Sequence, residues 1–364
     1  MMTRTVKISE DPPESVAGAE GNGRASRPAL KGVDLPALQA LFEKRGIPPF
    51  RARQVYRWLY AKAAGSFDEM TDLSKPFRES LAIKWDLHVL ANRKTELSKD
   101  GTQKWVFALR DGNLIETVLI PESRRSTVCV STQVGCPIKC SFCLTGTEGF
   151  VRNLTAAEIL DQVCQVKIAR RDVIVTNVVL MGMGEPLLNY GPVVQAIGVM
   201  GDPAGFNLSS RRITLSTVGI LPKLRRLLEE ANVSIAISLH AASNGIRGQL
   251  VPINDKFPVE KLIAMCRGLP LPARRRVTFE YTLIEGVNDS PEEADRLARM
   301  LRGFPSKVNL IPLNESPGIP YRRPSPSRVE SFHARLRARG VRVVRRATRG
   351  DDISAACGQL KGRR

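Results

Sequence analysis

Histidine is scarce: only His88, His240 and His333 occur in 364 residues. A metal centre or catalytic triad built on imidazole is therefore disfavoured. No apolar run approaches the ~20 residues that a membrane span needs. Met1 to Glu20 carries no apolar stretch of the kind a secretory signal has. No period repeats along the chain beyond an alternation of strand and helix patterns. Seven cysteines in a chain this long do not form a disulfide scaffold. These absences predict a protein without a membrane span in a reducing, cytoplasmic setting, where free thiols and iron–sulfur centres persist.

Acidic residues are also in short supply. Lys and Arg total 55 against 36 Asp and Glu, a net charge of +19 with a pI near 10.1. The excess is spread through Arg211-Arg212, Arg225-Arg226, Arg274-Arg275-Arg276, Arg322-Arg323 and Arg345-Arg346. Such a surface suits a polyanionic partner, nucleic acid above all. A basic surface with no partner is the plainer alternative.

Residues 1–33 have the Gly, Ser, Pro, Ala and charge content of a disordered tail. Residues 34–92 read as a helical accessory domain. Asp34 is placed as an N-cap, with Leu35, Leu38, Leu41 and Phe42 at helical spacing and Gly46 as the stop. A second helix is expected from Phe50 and a third over Ser74–Ile83. Arg51, Arg53, Arg57 and Lys62 lie on their polar faces beside Tyr56 and Trp58, which fits either RNA contact or a solvated basic face. Residues 93–125 alternate, with a turn at Asp111-Gly112-Asn113, and predict a β-hairpin extension. On that pattern alone Glu116 is an outward-facing strand residue.

From residue 126 to 346 strand and helix patterns alternate. Strands are expected at Thr127–Thr132, Val173–Met181, Ile213–Thr217, Val233–Leu239, Val277–Ile284 and Val308–Leu313, with an extra one at Val341–Val344. Thr155 to Glu158 is a capping box, and Ser290-Pro291 opens another helix. Six βα units with Val/Ile-rich strands argue an α/β fold, a partial parallel (β/α)6 barrel. Barrel enzymes react at the C-terminal ends of their strands. There the chain places Gly182 and Gly184, Glu185, Ser216-Thr217, Ser238-Leu239-His240 and Asn314. The glycines would let backbone approach a ligand. Glu185 would accept from an ammonium, and Ser216 and Asn314 would bond polar groups of a cofactor.

The first strand leads into Cys136-Pro137-Ile138-Lys139-Cys140-Ser141-Phe142-Cys143. A tetrahedral zinc site wants four ligands, and this loop offers three. Three thiolates suffice for a four-iron cluster with one iron left open to a small molecule. A structural zinc knuckle completed by Cys129 or Cys164 is the alternative. Strand alternation puts Thr127, Cys129 and Ser131 on one face and Val128 and Val130 on the other. Residues 347–364 form a C-terminal segment carrying Cys357, beside Gly358, with Arg349 and Lys361 near enough in sequence to favour a thiolate. Taken singly, Cys129 and Cys357 read as buried, inert thiols, and Cys164 and Cys266 as core residues of helices.

The cysteine spacing resembles that of the radical S-adenosylmethionine (SAM) enzymes. Gly182-Met183-Gly184-Glu185-Pro186-Leu187-Leu188-Asn189, Arg349-Gly350-Asp351-Asp352 and Ala355-Ala356-Cys357-Gly358-Gln359-Leu360 further resemble the RlmN/Cfr family of RNA adenine methyltransferases, over roughly Val33 to Leu360. The resemblance implies a [4Fe-4S] cluster on Cys136, Cys140 and Cys143. It also implies SAM contacts at Gly184, Glu185, Ser216, Ser238, Leu239, His240 and Asn314. Two SAM are used per turnover. Cys357 takes a methyl group from one; a deoxyadenosyl radical made from the other removes a hydrogen from that methyl. The carbon then adds to carbon 2 of an adenine in 23S rRNA or tRNA. Cys129 releases the product through a transient disulfide with Cys357. Glu116 stands at the position of the proton acceptor, a role Cys129 would otherwise fill. The same resemblance brings an electron donor such as flavodoxin or ferredoxin, a dithiol reductant and a monomeric enzyme. Carbon-8 methylation, as in Cfr, and a non-catalytic zinc-containing RNA-binding protein are the competing readings.

Overall fold

The computed structural model describes residues 27–362 apart from 270 and 272–274. The first 26 residues of the expected tail, and Arg274, lie outside the described residues. Residues 27–33 are not tail-like. Leu30 is fully buried, Ala29 bridges Asp86, and Lys31 is buried on Asp161. One leucine and one lysine in a stretch rich in Gly, Pro and Arg make no periodic signal, so composition alone missed them.

The helical region follows the caps. Leu35–Glu43 begins where Asp34 Oδ1 accepts from Ala37 N at 2.8 Å, and it buries Leu38 and Phe42. Gly46, at φ +69°, turns the chain out. Pro49–Tyr56 runs on into a π-helical turn, Arg57–Ala61, burying Ala52, Val55, Tyr56, Leu59 and Tyr60. Lys75–Lys84 starts after Ser74.

Twelve strands are present among the described residues. They are β1 (Ala91–Leu97), β2 (Gln103–Ala108), β3 (Leu114–Glu122), β4 (Arg125–Cys129), β5 (Gln133–Gly135), β6 (Phe150–Asn153), β7 (Asn177–Leu180), β8 (Ile213–Thr217), β9 (Ser234–Ser238), β10 (Val277–Leu283), β11 (Ser306–Pro312) and β12 (Val343–Arg345). Ten form one sheet in the order β1-β2-β3-β4-β7-β8-β9-β10-β11-β12, while β5 and β6 pair with each other. Junctions from β1 to β4 are antiparallel, and those from β4 to β12 are parallel. The parallel part is the partial barrel, open between its first and last strands. The hairpin is not a separate appendage. β3 pairs with β4, so the meander continues the barrel wall. Within the Val173–Met181 run only Asn177–Leu180 is strand, and Ile174 is 82% exposed: an apolar run need not be buried.

Helices cover the outer face. Ala156–Ala169 opens with the expected capping box, Thr155 and Glu158 bonding each other's backbone, and Pro291–Leu301 opens on Ser290. Asp161, on the first of these helices and fully buried, joins the two parts of the molecule. Its carboxylate accepts from Val89 N (2.8 Å), Leu90 N (3.1 Å) and Lys31. Although burial opposes ionisation, Lys31 and His88 hold its carboxyl well below the usual range.

Candidate active site

The cysteine loop leaves β5 and returns through β6. Cys136 N donates to Gly149 O (2.8 Å), Cys143 N to Cys140 O (3.1 Å) and Ser141 N to Leu250 O (3.0 Å). Burial pushes the Cys136 thiol up to about 12 and raises those of Cys140 and Cys143; each thiol also feels at least one of the others. Thiolates crowded this way ionise only with a metal to neutralise them. Among the described residues no three His, Cys, Asp or Glu side chains converge tightly enough to share one ion. Three thiols in one loop fit a cluster held by three cysteines, with one iron left open to a small molecule. Cys164, one of the two proposed fourth zinc ligands, is fully buried with its thiol on Leu59 O at 3.3 Å.

At the strand ends the glycines meet protein rather than open space. A Cβ on Gly182 would lie 2.7 Å from Val130 O, and one on Gly184 (φ +103°) 2.6 Å from Gln133 Cβ. Glycine at these positions is demanded by packing of the β7 end on the β4–β5 link. Glu185 is buried, and its oxygens accept from Leu187 N (3.0 Å) and Val218 N (2.9 Å). Burial raises its carboxyl to about 7. The Thr217 hydroxyl adds a third bond to this carboxylate, and the carboxylate's remaining lone pair is open to an ammonium. Ser216 and Ser238 face each other, Oγ to Oγ at 3.4 Å. Leu239 and His240 offer their backbone differently. Both N–H groups donate to Glu280 O (3.0 and 3.3 Å), and Leu239 O accepts from Arg247. The His240 ring is a strut: Nδ1 accepts from Thr282 N (3.0 Å), and the ring meets Phe142 edge-on at 4.7 Å. Burial first, then Arg247, lowers it to about 3, so it is neutral.

Arg247 was not singled out by the sequence. It is fully buried and donates to Val218 O, Leu239 O, Ser238 O, Asn254 Oδ1 and Phe257 O. It thus ties the ends of β8 and β9 together below Cys140. A lone arginine in a short polar helix gives no linear signal for such a role.

The C-terminal segment is stitched over this mouth. Asn314 Nδ2 donates to Cys357 O (3.2 Å), Leu144 N to Gly358 O (2.8 Å), Thr145 Oγ1 to Leu360 O (2.7 Å), and Lys361 N to Glu116 Oε2 (2.9 Å). Cys357 is therefore pinned between the β11 end, the loop after Cys143 and β3. Contrary to the single-residue expectation, it is exposed rather than buried. Glu116 is likewise not outward-facing. It is 4% exposed, sits 3.2 Å from Lys104 Nζ, and is pushed up by burial. Register explains this: Val118 opposes Cys129, so Glu116, two residues earlier, shares the face of Cys129.

Cys129 and Cys357 line one cavity of about 900 Å3, with Glu280, Asn309, Asn314 and Arg346. Burial pushes the Cys129 thiol up to about 12, with Cys357 the next cause. The cation facing these thiols is Arg346, whose own ionised form is favoured first by Cys357. It is not Arg349, which points to Asp100 at 3.9 Å. Cys164 and Cys266 lie in the core, as expected.

Residues 29–85 match the family model described as "Ribosomal RNA large subunit methyltransferase N-terminal domain", and residues 130–298 match "Radical SAM superfamily". The chain is 48% identical over 335 residues to the dual-specificity RNA methyltransferase RlmN of Pelobacter propionicus, covering 92% of this chain and 96% of that protein. It is 49% identical to that of Syntrophobacter fumaroxidans, covering 91% and 97%. The crystal structure of a radical SAM methyltransferase from Sphaerobacter thermophilus superposes with a TM-score of 0.89 at 45% identity, covering 92% of this chain and all of that one.

Proposed function

The chain belongs to the RlmN family of radical SAM methyltransferases, and from that premise we propose that it methylates carbon 2 of an adenine in 23S rRNA and in tRNA through a methylated Cys357. The observation that carries the reading is the pinning of exposed Cys357 between the cysteine loop, Asn314 and Glu116, over a cavity that also holds Cys129.

Adenine carbon 2 is an electron-poor ring carbon and does not attack a methyl sulfonium, so the carbon must arrive by another route. A [4Fe-4S] cluster on Cys136, Cys140 and Cys143, when bound, supplies with SAM a 5′-deoxyadenosyl radical strong enough to take hydrogen from a methyl group. The Cys357 sulfur, having lost its proton to solvent, bonds to the methyl of one SAM as the bond from that methyl to the sulfonium breaks and the neutral thioether leaves. Asn314 and Leu144 hold the carbonyls of Cys357 and Gly358 and so help aim that carbon. Glu116 takes the carbon-2 proton; its raised carboxyl is a stronger base than a solvated one. The adduct gives up its unpaired electron to the redox carrier that serves the cluster; the Cys129 thiolate then attacks the Cys357 sulfur, the bond from sulfur to the product carbon breaks, that carbon takes a proton to become the methyl, and a disulfide remains for a cellular dithiol to reduce.

Glu185 holds the SAM ammonium, and the hydroxyls of Ser216 and Ser238, with the second lone pair of His240 O, hold its remaining polar groups. Cytoplasmic location, a monomeric state and a flavodoxin or ferredoxin as electron donor complete the reading. No helix among the described residues is long and apolar enough to cross a membrane.

The test is anaerobic reconstitution with iron, sulfide and SAM, followed by digestion of the RNA. We expect 2-methyladenosine from the wild type, an added methyl on Cys357 by mass, and neither from Cys357→Ala. Recovery of 8-methyladenosine would assign the carbon-8 reaction, and retained turnover in Cys357→Ala would refute the covalent route.

A further inference from the structure

One buried carboxylate in the cavity has no task in this chemistry. Glu280 sits in the middle of β10, opposite Ser238 on β9 and Asn309 on β11, and is 4% exposed. Oε1 accepts from Asn309 Nδ2 at 2.9 Å; Oε2 is buried and has no hydrogen-bond partner. A buried oxygen left so carries a desolvation cost that a ligand donor would remove. The charged groups facing it are Arg346 and Lys307.

Arg346 stands just past β12. Its backbone N–H donates to Leu310 O (2.9 Å) and Nη1 lies 3.9 Å from Met181 Sδ. Cys357, Glu280 and Cys129 each favour the ionised form of its guanidinium. An acceptor and a cation therefore line the same cavity as the two reacting thiols.

Adenine shows an N6 amino donor beside an N7 acceptor on one edge; guanine shows acceptors at both positions. We propose that Glu280 accepts from the N6 amino group of the target adenine while Arg346 donates to its N7. The pair then selects adenine over guanine, which would set O6 against a carboxylate. This inference rests on the adenine-methyltransferase reading and adds the groups that read the base.

The experiment uses the reconstituted full-length enzyme and RNA carrying adenosine, purine riboside (no 6-amino group) or 7-deazaadenosine (no N7) at the target. For the wild type we expect kcat/KM to fall about 10- to 100-fold with either analogue. Glu280→Leu should show a similar loss on adenosine and no further loss on purine riboside, because both remove one contact. Glu280→Gln, whose amide oxygen still accepts, should recover most of the activity. Equal rates on adenosine and purine riboside in the wild type overturn the inference whether or not any variant folds. A loss of SAM affinity in Glu280→Leu matching its loss of turnover also overturns it, by placing Glu280 on the cofactor. Failure of the wild type to methylate any RNA instead sinks the functional reading itself.

Discussion

Glu185 shows how a side chain readable in the sequence acquires properties that are not. Its place after a strand was legible; its burial and its two backbone donors were not. Burial raises its carboxyl to about 7, against an ordinary value near ~4.3. The sign of the linkage follows. The folded protein keeps a proton that the unfolded chain has released, so this group's contribution to stability is full below about pH 4 and is lost as pH rises through about 7. A bound ammonium favours the ionised carboxylate, so SAM binding should expel a proton near pH 7. Affinity should weaken by up to about tenfold per unit below that. Calorimetry in two buffers of different ionisation heat reads the proton directly, and Glu185→Gln should abolish its release. Glu116 makes the complementary case: alternation alone faced it outward, and only the pairing of β3 with β4 turns it toward Cys129.

Among the elements, the β5–β6 pair is the clasp on either side of the cysteine loop. It closes at Gly135, φ +72°, where a Cβ would lie 1.9 Å from Gly149 O. No rotamer relieves a clash with a backbone carbonyl, and the positive φ adds strain. Gly135→Ala should therefore open the clasp and let the three thiols drift apart. We expect iron per chain to fall to less than half of the wild-type level after reconstitution, with the far-ultraviolet circular dichroism nearly unchanged. Full iron loading would show that the loop holds its shape without the clasp. Such a site is hard to read linearly, because Gly135 and Gly149 are far apart in sequence and Gly182 and Gly184 look like ordinary turn residues. In the fold Gly135, Gly182 and Gly184 allow close packing around the mouth, whereas a Cβ on Gly149 would meet open space.

At the scale of the molecule, the helical region and the barrel are held together by charge as well as by apolar contact. Lys31 and Asp161 are 130 residues apart and almost wholly buried, with Val89 and Leu90 N–H groups on the same carboxylate. Removing one member leaves an uncompensated buried charge, at about 3–5 kcal/mol. Asp161→Ala should thus loosen residues 27–90, seen as faster amide hydrogen exchange there than in β7–β11. Because the Asp161 carboxyl is held below its ordinary range, its contribution is present above about pH 4 and is lost as pH falls through its depressed value.

The sequence by itself determined the chemistry on offer: three thiols in one short loop, two lone thiols, a strand–helix alternation and a net charge of +19. Spacing within a loop and period along an element are local properties, so they survive in a linear reading. What only the tertiary structure decided is which distant groups meet. It set Cys357 beside Cys129, turned Glu116 inward, put Arg346 rather than Arg349 against the thiols, and left one oxygen of Glu280 bare inside the cavity. The physical reason is that these meetings depend on strand register and on closure of the C-terminal segment over the mouth. The closure joins residues 215 and 245 apart in sequence; the β3–β4 register spans a short turn, but which of its faces is buried depends on what packs against it from elsewhere in the chain.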